Sequence, residues 1–299
     1  MKKYLVKLAS FCVFVIIIDF FIGLGFTYMR VHTKGGDTGL ANYIHEELKD
    51  EVLFFGSSRC FHHYDPNIIS DSLEMSCYNC GMDGMGILYF YQRFKLITER
   101  YSPKLIVYDI HPKFDLLVNE PDNKYLGGMR AFYNHQSIRH VFEDVDSYEP
   151  YKMMSNAYRY NSKLLPYFSD MVAPSKSSDK GYRPKDKVMK YEPSITSVET
   201  PYNVDSLKIK YFELLIKECQ EKGIQLVLAT SPIYKGYRSS KYDIAMSLAN
   251  KHNIPYLLHV NEETISRNKI YFYDSSHMNR KGATEYSKMI AHELKKILK

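Results

Sequence analysis

Two short stretches hold residues whose types and spacing suit nucleophilic acyl chemistry. The first is Gly56-Ser57-Ser58-Arg59, which follows the apolar run Val52 to Phe55. A run of that length reads as a strand buried on both faces, and Gly56 lets the backbone turn sharply at its carboxyl end. In open parallel sheets that end is where ligands bind. Ser58 is the candidate nucleophile there and Ser57 the alternative; the plain reading of the same stretch is a strand-to-helix turn whose serines cap the next helix. The second stretch is Tyr273-Asp274-Ser275-Ser276-His277. An aspartate three residues before a histidine, on a turn opening a helix, can hold the imidazole Nδ1 while Nε2 points outward. That is the orienter and base half of a serine triad.

These residues need a scaffold that brings position 58 to position 277. After the run at 52–55, the pattern predicts a helix from Pro66, with proline at its first position, and a short strand at 75–78. A helix over 87–99 and a strand over 104–110 follow. The rhythm resumes with Asp205-Ser206 capping a helix at 207–222, a strand at 224–229, a helix at 240–252, a strand at 254–259 and a final helix at 280–298. The implied fold class is α/β: a three-layer α/β/α sandwich around a flavodoxin-like parallel sheet, with right-handed crossovers and the site at the strand ends. Between Asn119 and Tyr202 the alternation stops. A tyrosine-rich stretch, 147–168, reads as helical, and 172–200 is polar with Pro174, Pro184 and Pro193. So long an interruption suggests an insertion at the sheet edge. Its tyrosines either stack on the sugar rings of an acceptor, or Tyr158, Leu164 and Phe168 form the core of a structural cover.

Gly-x-Ser early and Asp-x-x-His late, with alternating strands and helices between them, resemble the SGNH (GDSL-type) hydrolase superfamily. Ser58 matches the block I serine, in a Gly-Ser-Ser variant of the usual Gly-Asp-Ser, and Asp274 and His277 match block V. The resemblance covers roughly residue 51 onward. It implies that Ser58 attacks an ester carbonyl, with His277 as base and Asp274 as its orienter. It also implies an oxyanion hole made by the backbone N–H groups of Ser58 and Gly81, the latter in the glycine-rich stretch Asn79-Cys80-Gly81-Met82-Asp83-Gly84. Family members usually carry Gly-x-Asn-Asp after the third strand, whereas this chain has Asp109-Ile110-His111-Pro112. His111 or Asn79 could replace the missing asparagine, and the plain reading of His111 is a loop residue. Arg59 binds an acidic group on the acceptor or forms a surface ion pair. A Gly-Ser-Ser-Arg block without the block III asparagine is similar to membrane-anchored members that serve cell-envelope acylation, of the D-alanine-transfer and alginate-acetylation type. That similarity implies an extracytoplasmic serine esterase or O-acyltransferase whose substrate is an envelope or exported polysaccharide or an acylated carrier. The rival is an inactive SGNH-like scaffold that binds polymer or docks a membrane-bound acyltransferase.

The first residues supply the membrane expectation. Lys2, Lys3 and Lys7 precede an apolar run from Leu8 to Met29 broken by one charge, Asp19. About 20 such residues cross a bilayer as a helix, and no Ala-x-Ala exit follows. Residues 1–29 therefore read as an uncleaved signal anchor in the inner membrane, with the remainder outside the cytoplasm. Asp19 should face a partner helix or water rather than lipid, or be a tolerated single defect. Residues 30–50 read as a flexible linker with a short helix, and 51–299 as the catalytic-type domain with its insertion at about 119–202.

Composition narrows the remaining classes. With 299 residues and 45% hydrophobic content the chain can bury a sizeable core. The net charge of +6 is spread along the sequence with no basic stripe interleaved with aromatics, which argues against nucleic-acid binding. Tyrosine is abundant, at 27, and tryptophan absent; this suits half-exposed rings on a carbohydrate-facing surface, or is compositional drift. No cofactor motif is evident. Cys77-x-x-Cys80 lacks a second pair, and His62-His63 beside Cys60 does not complete a zinc set. Cys77 and Cys80 read as buried thiols or an adventitious disulfide.

Overall fold

The computed structural model describes residues 1–174, 179–193 and 199–298. Residues 175–178 and 194–198, within the polar stretch at 172–200, lie outside the described residues. In chain order the helices are α1 (Lys2–His32), α2 (Gly36–Asn42), α3 (Ser58–His63), α4 (Pro66–Leu73), α5 (Ile87–Thr98), α6 (Pro112–Asp115) and α7 (Gln136–Val145). They continue with α8 (Glu149–Lys152), α9 (Asn156–Arg159), α10 (Leu164–Val172), α11 (Ser206–Glu221), α12 (Lys241–His252), α13 (Glu263–Ser266) and α14 (Arg280–Ile297). The strands are β1 (Val52–Gly56), β2 (Cys77–Asn79), β3 (Leu105–Asp109), β4 (Gln225–Thr230) and β5 (Tyr256–Leu258). The chain divides into two compact units, residues 1–47 with 126–177, and residues 48–125 with 178–299.

The second unit is a parallel sheet in the order β2-β1-β3-β4-β5. Val52 lies opposite both Cys77 and Leu105, and Leu105 opposite Gln225, so the strand ends are aligned at one edge. Alternate residues face opposite helical layers, as the two-residue strand period requires. On one side Val52, Phe54, Leu105, Val107 and Val227 pack with Ile69 of α4 and with Tyr286, Ile290 and Leu294 of α14. On the other, Phe55 meets Phe90 of α5 at 6.0 Å between ring centroids, Phe90 meets Tyr108, and Tyr108 meets Phe212 of α11 at 5.0 Å. Burial on both faces explains why these strands read as uninterrupted apolar runs. The α/β/α expectation and its strand order are both observed. β2 starts two residues later than the pattern suggests, because the Ser76 carbonyl accepts from Glu51 and Val52 N–H groups and closes the turn before the strand.

The first unit contains α1, α2, a π-helical turn at Tyr43–Glu47, and α7 to α10. α1 is long and apolar enough to cross a membrane. The stretch expected as a flexible linker is helical from Gly36, and Gly39 N–H donates to Gly35 O at 2.9 Å. The tyrosine-rich stretch is helical as expected, in three short helices. Ser155 caps α9 by accepting from Tyr158 N–H, and Ser162, at φ +63°, breaks the path before α10. Leu164 and Phe168 are exposed instead of forming a core. Tyr160 and Tyr167 are buried against Phe26 of α1, which removes them from any sugar-binding surface.

Candidate active site

β1 ends at Gly56 with φ +142°, and a Cβ there would stand 2.5 Å from the Asp109 carbonyl oxygen. Only glycine fits this crossing between β1 and β3. The backbone then enters α3 with Ser57 as N-cap residue and Ser58 as its first helical residue. Ser57 Oγ is sequestered and without a hydrogen-bond partner among the described residues, so it is not the outward hydroxyl. Ser58 Oγ lies 2.7 Å from His277 Nε2.

The late stretch folds as a tight turn before α14. Asp274 Oδ1 accepts from the Ser276 and His277 N–H groups at 2.8 and 2.9 Å, which places the carboxylate beside its own histidine. His277 Nδ1 stands 3.0 and 2.9 Å from the two Asp274 oxygens. Burial works to raise the Asp274 carboxyl, but the imidazole and the two backbone donors outweigh it and hold it below the usual carboxylate range. Asn279 caps α14 by accepting from Gly282 N–H, and Tyr273 N–H donates to His277 O, so both ends of the turn are tied down. Serine, histidine and aspartate thus form a continuous hydrogen-bonded chain at the carboxyl ends of the strands.

Two further histidines, His62 and His63, pack around His277. His63 is fully buried; its Nε2 accepts the Met278 N–H at 2.9 Å and its Nδ1 lies 2.8 Å from Ser231 Oγ. An acceptor role for Nε2 puts the proton on Nδ1. Burial, with His277 and Arg59 nearby, pushes the His63 pKa well below its ordinary value, so the ring is neutral. His62 packs edge-on to His277 at 5.6 Å between centroids, with Nδ1 donating to Arg183 O at 2.6 Å and Nε2 3.0 Å from Asp83 Oδ1. The signal in the sequence was a pair of adjacent histidines one turn after the nucleophile, on the short helix it opens.

Of the remaining candidates, Asn79, Gly81 and Arg59 are engaged elsewhere in the fold. Asn79 is fully buried, its Nδ2 donating to Cys60 O and Tyr64 O at 2.8 and 2.9 Å, while its Oδ1 accepts the Gly81 N–H at 2.9 Å. Neither Asn79 nor Gly81 therefore offers a donor to an oxyanion; a buried amide at a strand end must satisfy its own polar atoms first. The Ser58 N–H, in the first turn of α3, has no intrahelical acceptor. Arg59 does not project outward. Successive helical residues point about 100° apart, so its side chain turns inward, donates to Ile110 O and lies 3.7 Å from Asp109. Burial raises the Asp109 carboxyl, and the guanidinium opposes that rise. His111 follows β3 at the same sheet edge, is partly exposed, and lies against Phe114 at 4.5 Å between ring centroids, the rings tilted by 38°. Burial and Arg59 lower its pKa well below the ordinary value, and its Nδ1 is sequestered without a partner among the described residues. Cys77 and Cys80 are unpaired, and burial pushes both thiols up to about 12. No group of three or more metal-ligating side chains occurs among the described residues.

No family model and no curated protein matches the chain. Among solved structures it is similar to one from Bacteroides fragilis described as an acylhydrolase, at 12% identity and a TM-score of 0.45, over 87% of this chain and 95% of that one. A GDSL-like lipase from Bacteroides thetaiotaomicron matches at 9% identity and a TM-score of 0.42, over 83% and 88%. A protein described as lipolytic and of the G-D-S-L family, from Desulfitobacterium hafniense, matches at 11% and 0.40, over 81% and 97%.

Proposed function

We propose that the chain is a serine-dependent ester hydrolase or O-acyltransferase with Ser58 as nucleophile, His277 as general base and Asp274 as its orienter. The observation that carries this reading is the 2.7 Å approach of Ser58 Oγ to His277 Nε2, backed on the far side of the ring by Asp274. Ser58 Oγ bonds to the acyl carbon as its proton passes to Nε2. Collapse of the tetrahedral intermediate then expels the alcohol, which takes that proton. Water or an acceptor hydroxyl next attacks the acyl-serine through the same histidine, releasing an acid or a new ester. The Ser58 N–H is one oxyanion donor. His111, which follows β3 at the same sheet edge, is the candidate for the second.

The substrate class that fits this reading is an O-acylated envelope or exported polysaccharide, or an acylated carrier, reached from the extracytoplasmic side with α1 as anchor. A second reading is an inactive scaffold that binds polymer or docks a membrane-bound acyltransferase. It is favoured by one observation, the commitment of Gly81 N–H to Asn79. Labelling of the full-length protein with a fluorophosphonate separates the two. The enzyme reading expects covalent modification that S58A abolishes and H277A reduces at least tenfold. Absence of modification in folded wild-type protein would establish the scaffold instead.

A further inference from the structure

The apolar helix α1 carries a stripe that a lone membrane span does not need. Asp19, Gly23, Phe26 and Thr27 lie on one face, at helical spacing, and all four meet residues 155–167 of the same unit. The Asp19 carboxylate accepts from Ser155 Oγ, Asn156 N–H and Ala157 N–H at 2.8 Å each, and from Asn156 Nδ2 at 3.1 Å. Gly23 admits the Asn156 side chain where a Cβ would stand 2.5 Å from its Cγ. Phe26 stacks on Tyr160 at 5.2 Å, and Thr27 Oγ1 bonds Tyr160 OH at 2.8 Å. The charge on the span is thus held by the α9 turn of its own chain.

Those bonds fix the depth of α9. Counted from Leu8, just beyond Lys7, about 20 residues of helix fill an apolar layer of ~30 Å and end near Thr27. Asp19 then lies roughly 12 Å inside the layer, at ~1.5 Å per residue, and the donors at 155–157 must lie at the same level.

The rest of the segment suits that position. Leu164, Leu165, Phe168 and Val172 of α10 are exposed, Leu165 at 78%, as are Phe21 and Leu24 of α1, against which α10 packs. Irregular backbone survives in an apolar layer only when its polar groups are paired. Here Arg159, Tyr160, Asn161 and Lys163 N–H groups donate to Ser155, Asn156, Tyr158 and Tyr160 carbonyls, and Asp170 accepts from Thr38 N–H and Oγ1. A groove between α1 and α9 is lined by Phe20, Leu24 and Tyr28 on one side and by Asn156, Arg159 and Tyr160 on the other. Arg159 Nε and Nη2 find no acceptor among the described residues.

From these observations we infer that residues 155–172 are a second membrane element, seated beside α1 in the leaflet at its C-terminal end, with the α10 apolar face against lipid. The occupant of that face is the bilayer, because it continues the lipid-exposed surface of α1. The test uses full-length C12S protein in phosphatidylcholine and phosphatidylglycerol vesicles, labelled with the fluorophore NBD at L165C, at V172C, or at V118C as an exposed reference. The two α10 labels should emit at shorter wavelength, lose at least half their intensity to doxyl-labelled lipid, and be quenched by aqueous iodide several-fold less than the V118C label. Iodide quenching equal to the reference, without doxyl quenching, overturns the inference. So does protection from both quenchers, which would assign the face to a protein partner.

Discussion

His63 Nε2 accepts the backbone N–H of Met278, so a buried neutral imidazole holds the residue that follows His277. The bond joins the helix opened by the candidate nucleophile to the turn that carries the candidate base. Protonating His63 would turn its acceptor nitrogen into a donor facing another donor.

The pH dependence follows from that geometry. The folded pKa of His63 is depressed below the unfolded value of ~6.5. The unfolded chain therefore binds the extra proton first, and the stabilising contribution is full above pH ~6.5 and falls as pH drops from there towards the folded pKa. H63Q keeps an acceptor and does not titrate. Urea midpoints taken between pH 7.5 and 5 should fall less steeply for H63Q than for wild type, and H63A should lose protection of the Met278 amide in hydrogen exchange. Equal slopes in the two proteins would refute the role. If the proposed chemistry holds, H63A should lower kcat on a small ester about 10–100-fold with little change in KM, and H63Q should restore most of it.

Asp274 is nearly half exposed, so its contribution lies in orientation rather than burial. D274N keeps the turn-forming oxygen but presents an amide to Nδ1 and favours the wrong tautomer. The expected loss in kcat is about 10²–10⁴-fold, with folding unchanged by circular dichroism. A variant within threefold of wild type would mean that His277 is oriented by its other neighbours.

Arg59 behaves as a structural residue in this arrangement, although it is adjacent to Ser58. It is almost completely buried against Asp109, and removing one member of such a pair leaves an uncompensated charge. R59A should destabilise the fold by about 3–5 kcal/mol, and D109N should be damaging as well. An R59A protein with wild-type thermal stability and altered substrate preference would return Arg59 to the binding surface.

Gly56 sets the position of the serine turn. G56A places a side chain at positive φ and against the Asp109 carbonyl, and should cost about 2–4 kcal/mol, the sum of backbone strain and overpacking. Gly223 is the control: it also has positive φ but open space around it, so G223A should cost about 1 kcal/mol. Similar losses in the two variants would show that strain alone matters at Gly56.

The sheet was legible in the sequence because a parallel strand covered on both faces must be apolar throughout and helices must separate its strands. Val52 to Phe55, the Asp205 cap and the periodicity of α14 carried that information locally. The approach of Ser58, Asp274 and His277 to one another was legible for a related reason. The Asp-x-x-His turn is local, and the serine follows a strand whose end had to be at the ligand-binding edge. The partners of Asn79, Gly81 and Arg59 were not legible, because they depend on which way a buried side chain turns, and hydrogen-bond satisfaction across elements decides that. His63 could not be assigned from its neighbours in sequence, since its two partners lie at Ser231 and Met278. Asp19 is the same case. The residue type announced a cost in an apolar helix, while its compensation came from Ser155 to Ala157, which only the folded chain brings to it.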